Sequence, residues 1–368
     1  MALLAKALRA DPRFEAEVCV TAQHRSMLDQ VLALFDLKPR FDLDLMKDNQ
    51  GLSETTARIV TGMTEVLRTF RPDWLVVQGD TTTAFVAALA AFYEKVSIAH
   101  VEAGLRTGFK YSPWPEEMNR ALVGRLADLH LAPTLRARDA LLRENVPESR
   151  IHVTGNTVVD ALLWVSAKLD ADQSARAALD ERFAFLDPNR RLVLITGHRR
   201  ESFGKPFEDT CNAFVDIVRA RPDVEILYPV HLNPNVQAPV KAILAAAPSD
   251  VRDRIHLIAP VGYLPFVYLM KRCHFIITDS GGVQEEAPSL GKPCLVTRND
   301  TERPEAVEAG TAKLIGTERS RIVAESLRLL DDGDPSHYLA MSRAHNPYGD
   351  GKANERIVAL LHAAVPAR

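Results

Sequence analysis

Short apolar runs alternate with longer amphipathic stretches along most of the chain. The apolar runs are rich in β-branched residues and predict strands over Val18–Thr21, Trp74–Val77, Ser97–Val101, Leu192–Thr196, Glu225–Tyr228, Phe275–Thr278 and Cys294–Val296. The stretches between them predict helices over Glu54–Phe70, Thr82–Tyr93, Glu117–Leu126, Asp209–Ala220 and Leu264–Arg272. This alternation predicts an α/β fold whose parallel sheets are covered by helices on both faces.

The alternation weakens once, in a polar and charge-rich stretch at 169–191 that is followed by a new strand. This predicts a change of domain near residues 155–190, bridged by a helix that begins at Thr157. A chain of 368 residues has the length of about two domains, and it can bury two cores without disulfides or a structural metal. The chain begins with an amphipathic helix, whereas a doubly wound α/β domain usually begins with a strand and a ligand-binding loop.

Composition limits the class of protein. Hydrophobic residues make up 46% and charged residues 25% of the chain, as in ordinary globular proteins. The net charge of -3 gives no overall attraction to nucleic acid or anionic membranes. There is no run of 18 apolar residues and no Cys-x-x-Cys pair, and the four cysteines are expected to be reduced thiols of a cytoplasmic protein. No zinc-ligand spacing occurs, so no metal is expected. No cofactor is expected either.

Acidic side chains follow two of the predicted strands. Asp80 comes after Trp74–Val77 and Glu102 after Ser97–Val101, while Glu116 lies at the start of a later helix. Each has a structural alternative, as a helix cap, an ion-pair partner or a charge on the helix dipole. Because ligands of open α/β sheets bind beyond the carboxyl ends of strands, two acids at successive strand ends also suit acid–base chemistry.

Two polar segments follow strands in the second half. His198 begins a basic run after Leu192–Thr196 and suits phosphate contact or proton transfer. A solvated basic loop is the alternative, but the position at a strand end favours a function. Ser280, Gly281 and Gly282 lie between a strand and a helix, where small residues and free N–H groups suit phosphate oxygens. Glu286, a turn later, could accept hydrogen bonds from ribose hydroxyls or only interact with the helix dipole.

Arg303 lies among acids after the strand Cys294–Val296. It could be a structural clamp, or it could contact a sugar or a diphosphate.

The chain carries no P-loop, no G-x-G-x-x-G fingerprint and no G-x-S-x-G elbow. The absence of the first two argues against an ATPase and an NAD enzyme.

Taken together, ten segments resemble the non-hydrolysing UDP-N-acetylglucosamine 2-epimerase family. Any one is weak, but ten in the family's order are highly specific. The segments are TAQHRSMLDQ, GDTTT, HVEAGLRTG, YSPWPEEMNR, TGNTVVDAL, TGHRRESFG, YPVHLNPNV, DSGGVQEEAPSLGKP, TERPEAV and AHNPYGDG.

The resemblance implies a GT-B architecture, with two Rossmann-like domains facing across a cleft, and a homodimer. It places the first domain at 1–156 with a returning C-terminal helix at 348–368, and a UDP-binding domain at 157–347. The implied reaction interconverts UDP-N-acetylglucosamine and UDP-N-acetylmannosamine. UDP is eliminated to give 2-acetamidoglucal, and it is added back after reprotonation at C2 from the other face.

The resemblance also implies roles for individual residues. Asp80, Glu102 and Glu116 are the acid–base candidates, with base and acid unassigned among them, and His198 is the family's essential histidine. The implied substrate-binding residues are Phe266 near the uracil, Ser280, Gly281 and Gly282 on the diphosphate, Glu286 on the ribose, and Arg303 on the phosphate or sugar. Gln23, Arg58 and His231 match parts of a regulatory substrate site.

Two departures from the family pattern stand out. Val261 replaces a Gln that relatives can carry near the uracil. The family's opening strand, its G-T-R-P-E loop and a following Lys have no counterpart ahead of Met1. The first domain is therefore expected to lack its N-terminal strand and loop, and the 368-residue chain to fold poorly or be nearly inactive. An equal rate in a chain extended upstream would contradict this expectation.

Three other functions stay open from the sequence. A hydrolysing relative would release free N-acetylmannosamine and UDP, although the PWPEEMNR and TERPE segments lean against it. A catalytically impaired nucleotide-sugar-binding protein would follow from the missing basic residues. A glycosyltransferase of the same architecture would transfer the sugar to an acceptor.

Overall fold

The computed structural model describes residues 1–21, 25–45, 51–197, 204–230 and 234–364. Its helices are α1 (Ala2–Ala10), α2 (Arg25–Leu34), α3 (Leu52–Phe70), α4 (Thr82–Tyr93), α5 (Glu116–Leu126), α6 (Leu135–Arg143), α7 (Thr157–Ala171), α8 (Gln173–Arg182), α9 (Lys205–Ala220), α10 (Pro234–Ala245), α11 (Ser249–Arg252), α12 (Tyr263–Arg272), α13 (Gly281–Glu286), α14 (Pro304–Glu308), α15 (Arg319–Leu329), α16 (Ser336–Arg343) and α17 (Ala353–Ala363). Short 3-10 turns span Glu148–Arg150 and Ala287–Leu290.

The strands are short and mostly apolar. They are β1 (Cys19–Val20), β2 (Phe41–Asp42), β3 (Trp74–Gln78), β4 (Ser97–Val101), β5 (Leu129–Ala132), β6 (Ile151–Val153), β7 (Arg191–Thr196), β8 (Val224–Pro229), β9 (Ile255–Ile258), β10 (Phe275–Thr278), β11 (Cys294–Val296) and β12 (Ala312–Leu314). All strand pairs are parallel, as the alternation of strands and helices predicts.

The chain divides into two compact units, the first formed by 1–161 with 348–368 and the second by 162–347. The division falls inside α7, the helix that the sequence predicted as a bridge from Thr157. Each unit contains parallel strands paired only among themselves, and each has its own buried apolar side chains. Each unit is therefore Rossmann-like in itself.

The first unit contains a four-stranded sheet of order β3-β4-β5-β6 and a separate two-stranded sheet, β1-β2. Helices α3 and α4 cover one core, in which Ile59 and Val86 are fully buried. Burial of one such side chain contributes roughly 1.5–3 kcal/mol. The other core packs α1 and α17 against the sheet, because Leu4 and Ile357 join it from the two ends of the chain.

A buried carboxylate attaches α17 to the rest of the first unit. Asp160 accepts hydrogen bonds from the backbone N–H groups of Ala353 (3.2 Å) and Asn354 (2.8 Å), at the first turn of α17. The first N–H groups of a helix have no partner within the helix, so this side chain satisfies two of them. Burial raises the pKa of Asp160 above its usual value. The C-terminal helix is thus held to the first unit by a specific contact.

The second unit contains one six-stranded sheet of order β12-β11-β10-β7-β8-β9. Its core lies between the sheet and α9, which contributes Phe207, Phe214 and Ile217. Strands β7 and β10 are the central pair, with Thr196 opposite Thr278. The segments that follow these two strands therefore leave the sheet side by side.

The described cysteines are free thiols, of which Cys211, Cys273 and Cys294 are buried. Within the described ranges no helix is long and apolar enough to cross a membrane. No group of three or more His, Cys, Asp or Glu side chains suited to a metal ion occurs in that part of the chain either.

Candidate active site

The turn after β3 is fixed by hydrogen bonds on both of its residues. Gly79 adopts a left-handed backbone (φ +70°), which glycine allows at no steric cost. Its N–H donates to the Val101 carbonyl (3.0 Å), and its own carbonyl accepts from His100 Nε2 (2.8 Å). The next carbonyl, that of Asp80, accepts from Asn119 Nδ2 (2.9 Å). The carboxylate of Asp80 is therefore presented by a turn with little freedom to move.

Glu102 follows the neighbouring strand β4 and has φ +61°, a value that is uncommon outside glycine. Its Oε2 accepts from Gln78 Nε2 (3.2 Å), and a Cβ built on Gly79 would lie 3.5 Å from the same oxygen. The carboxylate thus lies against the turn that carries Asp80. Such backbone outliers concentrate at functional sites, so the geometry supports a role for Glu102 beyond packing.

Helix α5 begins with two adjacent glutamates that have different environments. Glu117 is buried and accepts from the backbone N–H groups of Thr107 (3.1 Å) and Gly108 (2.9 Å), so it holds the preceding loop. Glu116 is half-buried, and its carboxylate has no hydrogen-bond or ion-pair partner among the described residues. Glu117 is accordingly structural, whereas Glu116 is available for chemistry.

Arg120 connects two of these carboxylates, and sequence reasoning missed it. Its guanidinium is buried, donates through Nη2 to Asp80, and contacts Glu117 through Nη1 at 3.1 Å. A signal was present, because Arg120 lies one helical turn after Glu116 and Glu117 and i,i+3 pairs share a helix face. Gln78, His100 and Asn119 were missed as well, since each acts through a contact distant in sequence.

In the second unit, a small-residue loop follows β10 and leads into α13. Ser280 is the residue before the helix, and its N–H donates to Thr278 Oγ1 (2.9 Å). The N–H groups of Gly281 and Gly282 lie in the first turn, which has no intrahelical acceptor for them. The two glycines differ in their surroundings, because a Cβ on Gly281 would lie 2.9 Å from Glu302 Oε1, whereas one on Gly282 would meet nothing within 4 Å.

Arg303 lies beneath this loop in a network of buried ion pairs. Its Nε donates to Glu285 Oε1 (2.8 Å), and its Nη1 contacts Glu302 Oε1 (3.0 Å). Glu302 is also paired with Arg298 (2.7 Å). The clamp that the sequence left as one alternative for Arg303 is therefore present, and it fixes the guanidinium next to Gly281.

Glu286 is buried at the end of α13 and accepts a hydrogen bond from the Tyr263 hydroxyl (2.6 Å). Burial raises the pKa of Glu286 to about 7, with a smaller contribution from the neighbouring Glu285. Tyr263 is the first residue of α12, and Phe266 lies half-buried one turn later on that helix. The structure thus connects the predicted ribose residue to the helix of the predicted uracil residue.

Three predicted site residues, His198, Gln23 and His231, lie outside the described residues. Arg58 lies on α3 and pairs with Glu54 at 2.7 Å, one turn earlier on the same helix. Its predicted regulatory role stays a prediction.

A cavity of about 550 Å³ in the second unit contains none of the predicted site residues. It is lined by residues such as Leu186 and Arg272, which precede β7 and β10. The cavity therefore lies near the amino ends of these strands, opposite the edge that carries the Ser280–Gly282 loop. Because ligands of such sheets bind beyond the carboxyl ends, the loop is the better candidate site.

We expect Gly281→Ala to lower the free energy of unfolding by about 1–3 kcal/mol, because the new methyl group would overlap the clamped Glu302 and Arg303 side chains. The matched variant Gly282→Ala adds the same methyl group into open space and should unfold within about 0.5 kcal/mol of the parent. Urea denaturation of both variants measures the difference. Equal stabilities would show that the clamp moves aside.

The fold and these side chains define a class of protein. Two Rossmann-like units, with carboxylates at adjacent strand ends in one and a glycine loop at a helix start in the other, are typical of enzymes acting on nucleotide-linked substrates. The chain matches the family described as UDP-N-acetylglucosamine 2-epimerase over residues 6–362. It belongs to that family.

Relatives and solved structures agree with this. UDP-N-acetylglucosamine 2-epimerases from Salmonella typhimurium and Escherichia coli are each 56% identical over 361 residues, covering 98% of this chain and 94% of each relative. The Neisseria meningitidis UDP-GlcNAc 2-epimerase bound to UDP-GlcNAc aligns with a TM-score of 0.92 at 46% identity, covering 99% of this chain and 96% of that one. The Methanocaldococcus jannaschii enzyme in complex with UDP-GlcNAc and UDP gives 0.80 at 32% identity, covering 99% and 96%. The predicted GT-B class with Rossmann-like domains is confirmed.

Proposed function

We propose that this chain catalyses the reversible epimerisation of UDP-N-acetylglucosamine to UDP-N-acetylmannosamine at C2 of the sugar. The observation that carries the proposal is the pair of carboxylates, Asp80 and Glu102, which follow adjacent parallel strands, with Glu102 lying against the Gly79 turn that carries Asp80. The family and the relatives with bound UDP-GlcNAc supply the substrate.

The reaction needs groups that move protons on both faces of C2. The proton at C2 is weakly acidic, so a positioned base must remove it, and an acid must return one from the opposite face. Asp80, Glu102 and Glu116 are the candidates for these roles. Asp80 is paired with Arg120, whereas Glu116 has no such partner in the described chain, so the three carboxylates are not equivalent.

We assign the departing nucleotide to the second unit. Amides of Gly281 and Gly282 and the Ser280 hydroxyl suit the diphosphate, since donors that face developing charge stabilise a leaving group. Glu286 suits the ribose, Arg303 the phosphate or sugar, Phe266 the uracil, and His198 the diphosphate. Gly282→Ala should then weaken UDP binding by about tenfold or more at unchanged stability, which isothermal titration calorimetry measures.

Deuterium incorporation tests the function directly. Incubation with UDP-N-acetylglucosamine in heavy water should place deuterium at C2 of both sugar nucleotides, as followed by NMR. A chain extended by the family's strand and loop, assayed in parallel, distinguishes weak activity from none. If neither form incorporated deuterium at C2, the proposal would be wrong. Accumulation of free N-acetylmannosamine and UDP would instead favour the hydrolysing reaction.

Three further properties rest on the resemblance alone. We expect a homodimer, which light scattering after size exclusion measures. We expect cytoplasmic localisation, which cell fractionation measures.

We also expect regulation by substrate through Gln23, Arg58 and His231. A rate of epimerisation that saturates in pure UDP-N-acetylmannosamine, without added UDP-N-acetylglucosamine, would contradict regulation.

A further inference from the structure

Two buried histidines lie side by side in the central strands of the first unit. His100 of β4 and His130 of β5 are direct partners in the parallel register. Both are almost completely inaccessible, at 0% and 1% exposure. A histidine in a strand core must replace its lost water contacts, so each requires a reason for not being an aliphatic residue.

The two histidines differ in what they hold. His100 Nε2 lies 2.8 Å from the carbonyl oxygen of Gly79, in the turn that presents Asp80. His130 interacts instead with the backbone of Ala127, the residue that follows α5. Each has an Nδ1 atom without a hydrogen-bond partner in the described chain. The pair is therefore matched in burial and sheet position, and only His100 contacts the turn with the carboxylate.

We infer that His100 is a positioning residue, whose Nε2–H hydrogen bond to the Gly79 carbonyl holds the Asp80 turn in register with Glu102. This inference rests on the proposed function. A carbonyl oxygen only accepts, so Nε2 must carry the proton and Nδ1 must not. The bond fixes the one carbonyl between the end of β3 and Asp80, while Asn119 and Arg120 fix Asp80 itself.

Two further observations support this role. An unpartnered buried nitrogen destabilises by about 1–3 kcal/mol in both histidines, but only in His100 does Nε2 contact the Gly79 carbonyl, which an aliphatic residue could not do. Burial also lowers the pKa of His100 to about 3, so the ring stays neutral and keeps one tautomer in ordinary working conditions. The ring therefore serves as a constant donor and takes no part in proton transfer.

Amide substitutions separate the donor from the bulk of the ring. In His100→Gln the terminal amide reaches about as far as Nε2 and can donate to Gly79, whereas in His100→Asn the shorter amide corresponds to Nδ1 and cannot. His100→Leu removes the donor altogether. His130→Gln, His130→Asn and His130→Leu make the same changes in the neighbouring strand, away from the Gly79 turn.

The test measures kcat and KM for UDP-N-acetylglucosamine, corrected for the folded fraction, in the more active of the two chain forms. His100→Leu and His100→Asn should lower kcat by about 10–100-fold with KM within about threefold, since a shift of a catalytic group near 1 Å costs up to about 100-fold. His100→Gln should recover kcat to within about fivefold of the parent. The His130 variants should lose stability but keep kcat.

The outcomes discriminate clearly. Equal kcat losses in the His100 and His130 series, or a His100→Asn variant as active as His100→Gln, would overturn the positioning role while leaving the epimerase proposal intact. If His100→Leu does not fold, the Asn and Gln pair still decides. An inactive parent in both chain forms would overturn the proposed function and this inference together.

Discussion

Glu102→Gln should lower the rate of epimerisation by about 10²–10⁴-fold, the usual range for loss of a general acid or base. The amide keeps the size of the carboxylate and can still contact Gln78, so the fold should remain. It cannot accept or return a proton at C2. The measurement is kcat from the appearance of UDP-N-acetylmannosamine, together with deuterium exchange at C2, which isolates the proton-transfer step.

Glu94→Gln is the control for this prediction. Glu94 lies in the same unit and pairs with Arg68 on the surface at 2.8 Å, a contact typical of exposed ion pairs that contribute less than about 1 kcal/mol. It should change neither kcat nor the urea midpoint appreciably. If Glu102→Gln retained more than a tenth of the parent rate while folded, Glu102 would not be an essential acid or base.

The well-patterned parts of the fold could be predicted from the sequence. Strands β4, β10 and β11 and helix α4 have the predicted boundaries, because apolar residues make up most of each segment and its ends are clear. The short strands β5, β6, β9 and β12 were not predicted. Each has only three or four residues, one of them a histidine or lysine, so its apolar signal is weaker than that of β4, which also contains a histidine but has five residues. Their strand form comes from pairing with neighbours, which a local pattern does not contain.

The candidate site also has residues that the sequence indicates and residues that it does not. Asp80 and Glu102, which follow strands, could be predicted as candidates because the carboxyl edge of a parallel sheet is a known position for chemistry. The side chains that hold them could not, because a hydrogen bond such as that of His100 to Gly79 joins residues 21 positions apart. The two glycines after Ser280 looked equivalent in the sequence. Only the packing of Glu302 and Arg303 distinguishes Gly281 from Gly282.

Arg120→Met should destabilise the protein by about 3–5 kcal/mol, because it leaves two carboxylates without their shared cation. Methionine preserves much of the side-chain volume, so the loss reports on charge more than on packing. The side chain of Glu117 is 6% exposed and that of Asp80 is 30% exposed. Most of the loss should therefore come from Glu117, since water can partly solvate Asp80.

The unequal burial makes stability and catalysis separable. Adding Glu117→Gln to Arg120→Met removes the buried unpaired charge and should recover more than half of the lost free energy of unfolding. It should not recover kcat, because Asp80 still lacks the guanidinium that orients it. Arg120→Lys should fall between the parent and Arg120→Met in both properties, since an ammonium cannot bridge two carboxylates as a guanidinium fork does.

The test is a double-mutant cycle, in which urea denaturation and kcat are both measured. The variants are Arg120→Met, Glu117→Gln and the double variant, together with Arg120→Lys. Recovery of kcat along with stability in the double variant would show that Arg120 supports only the fold. A loss of less than about 1 kcal/mol in Arg120→Met would mean that water reaches Glu117 despite its burial. If the double variant recovers stability while kcat stays low, Arg120 has a role in orienting Asp80. In that variant Glu117 no longer carries a charge, and Asp80 is the carboxylate that still lacks its partner.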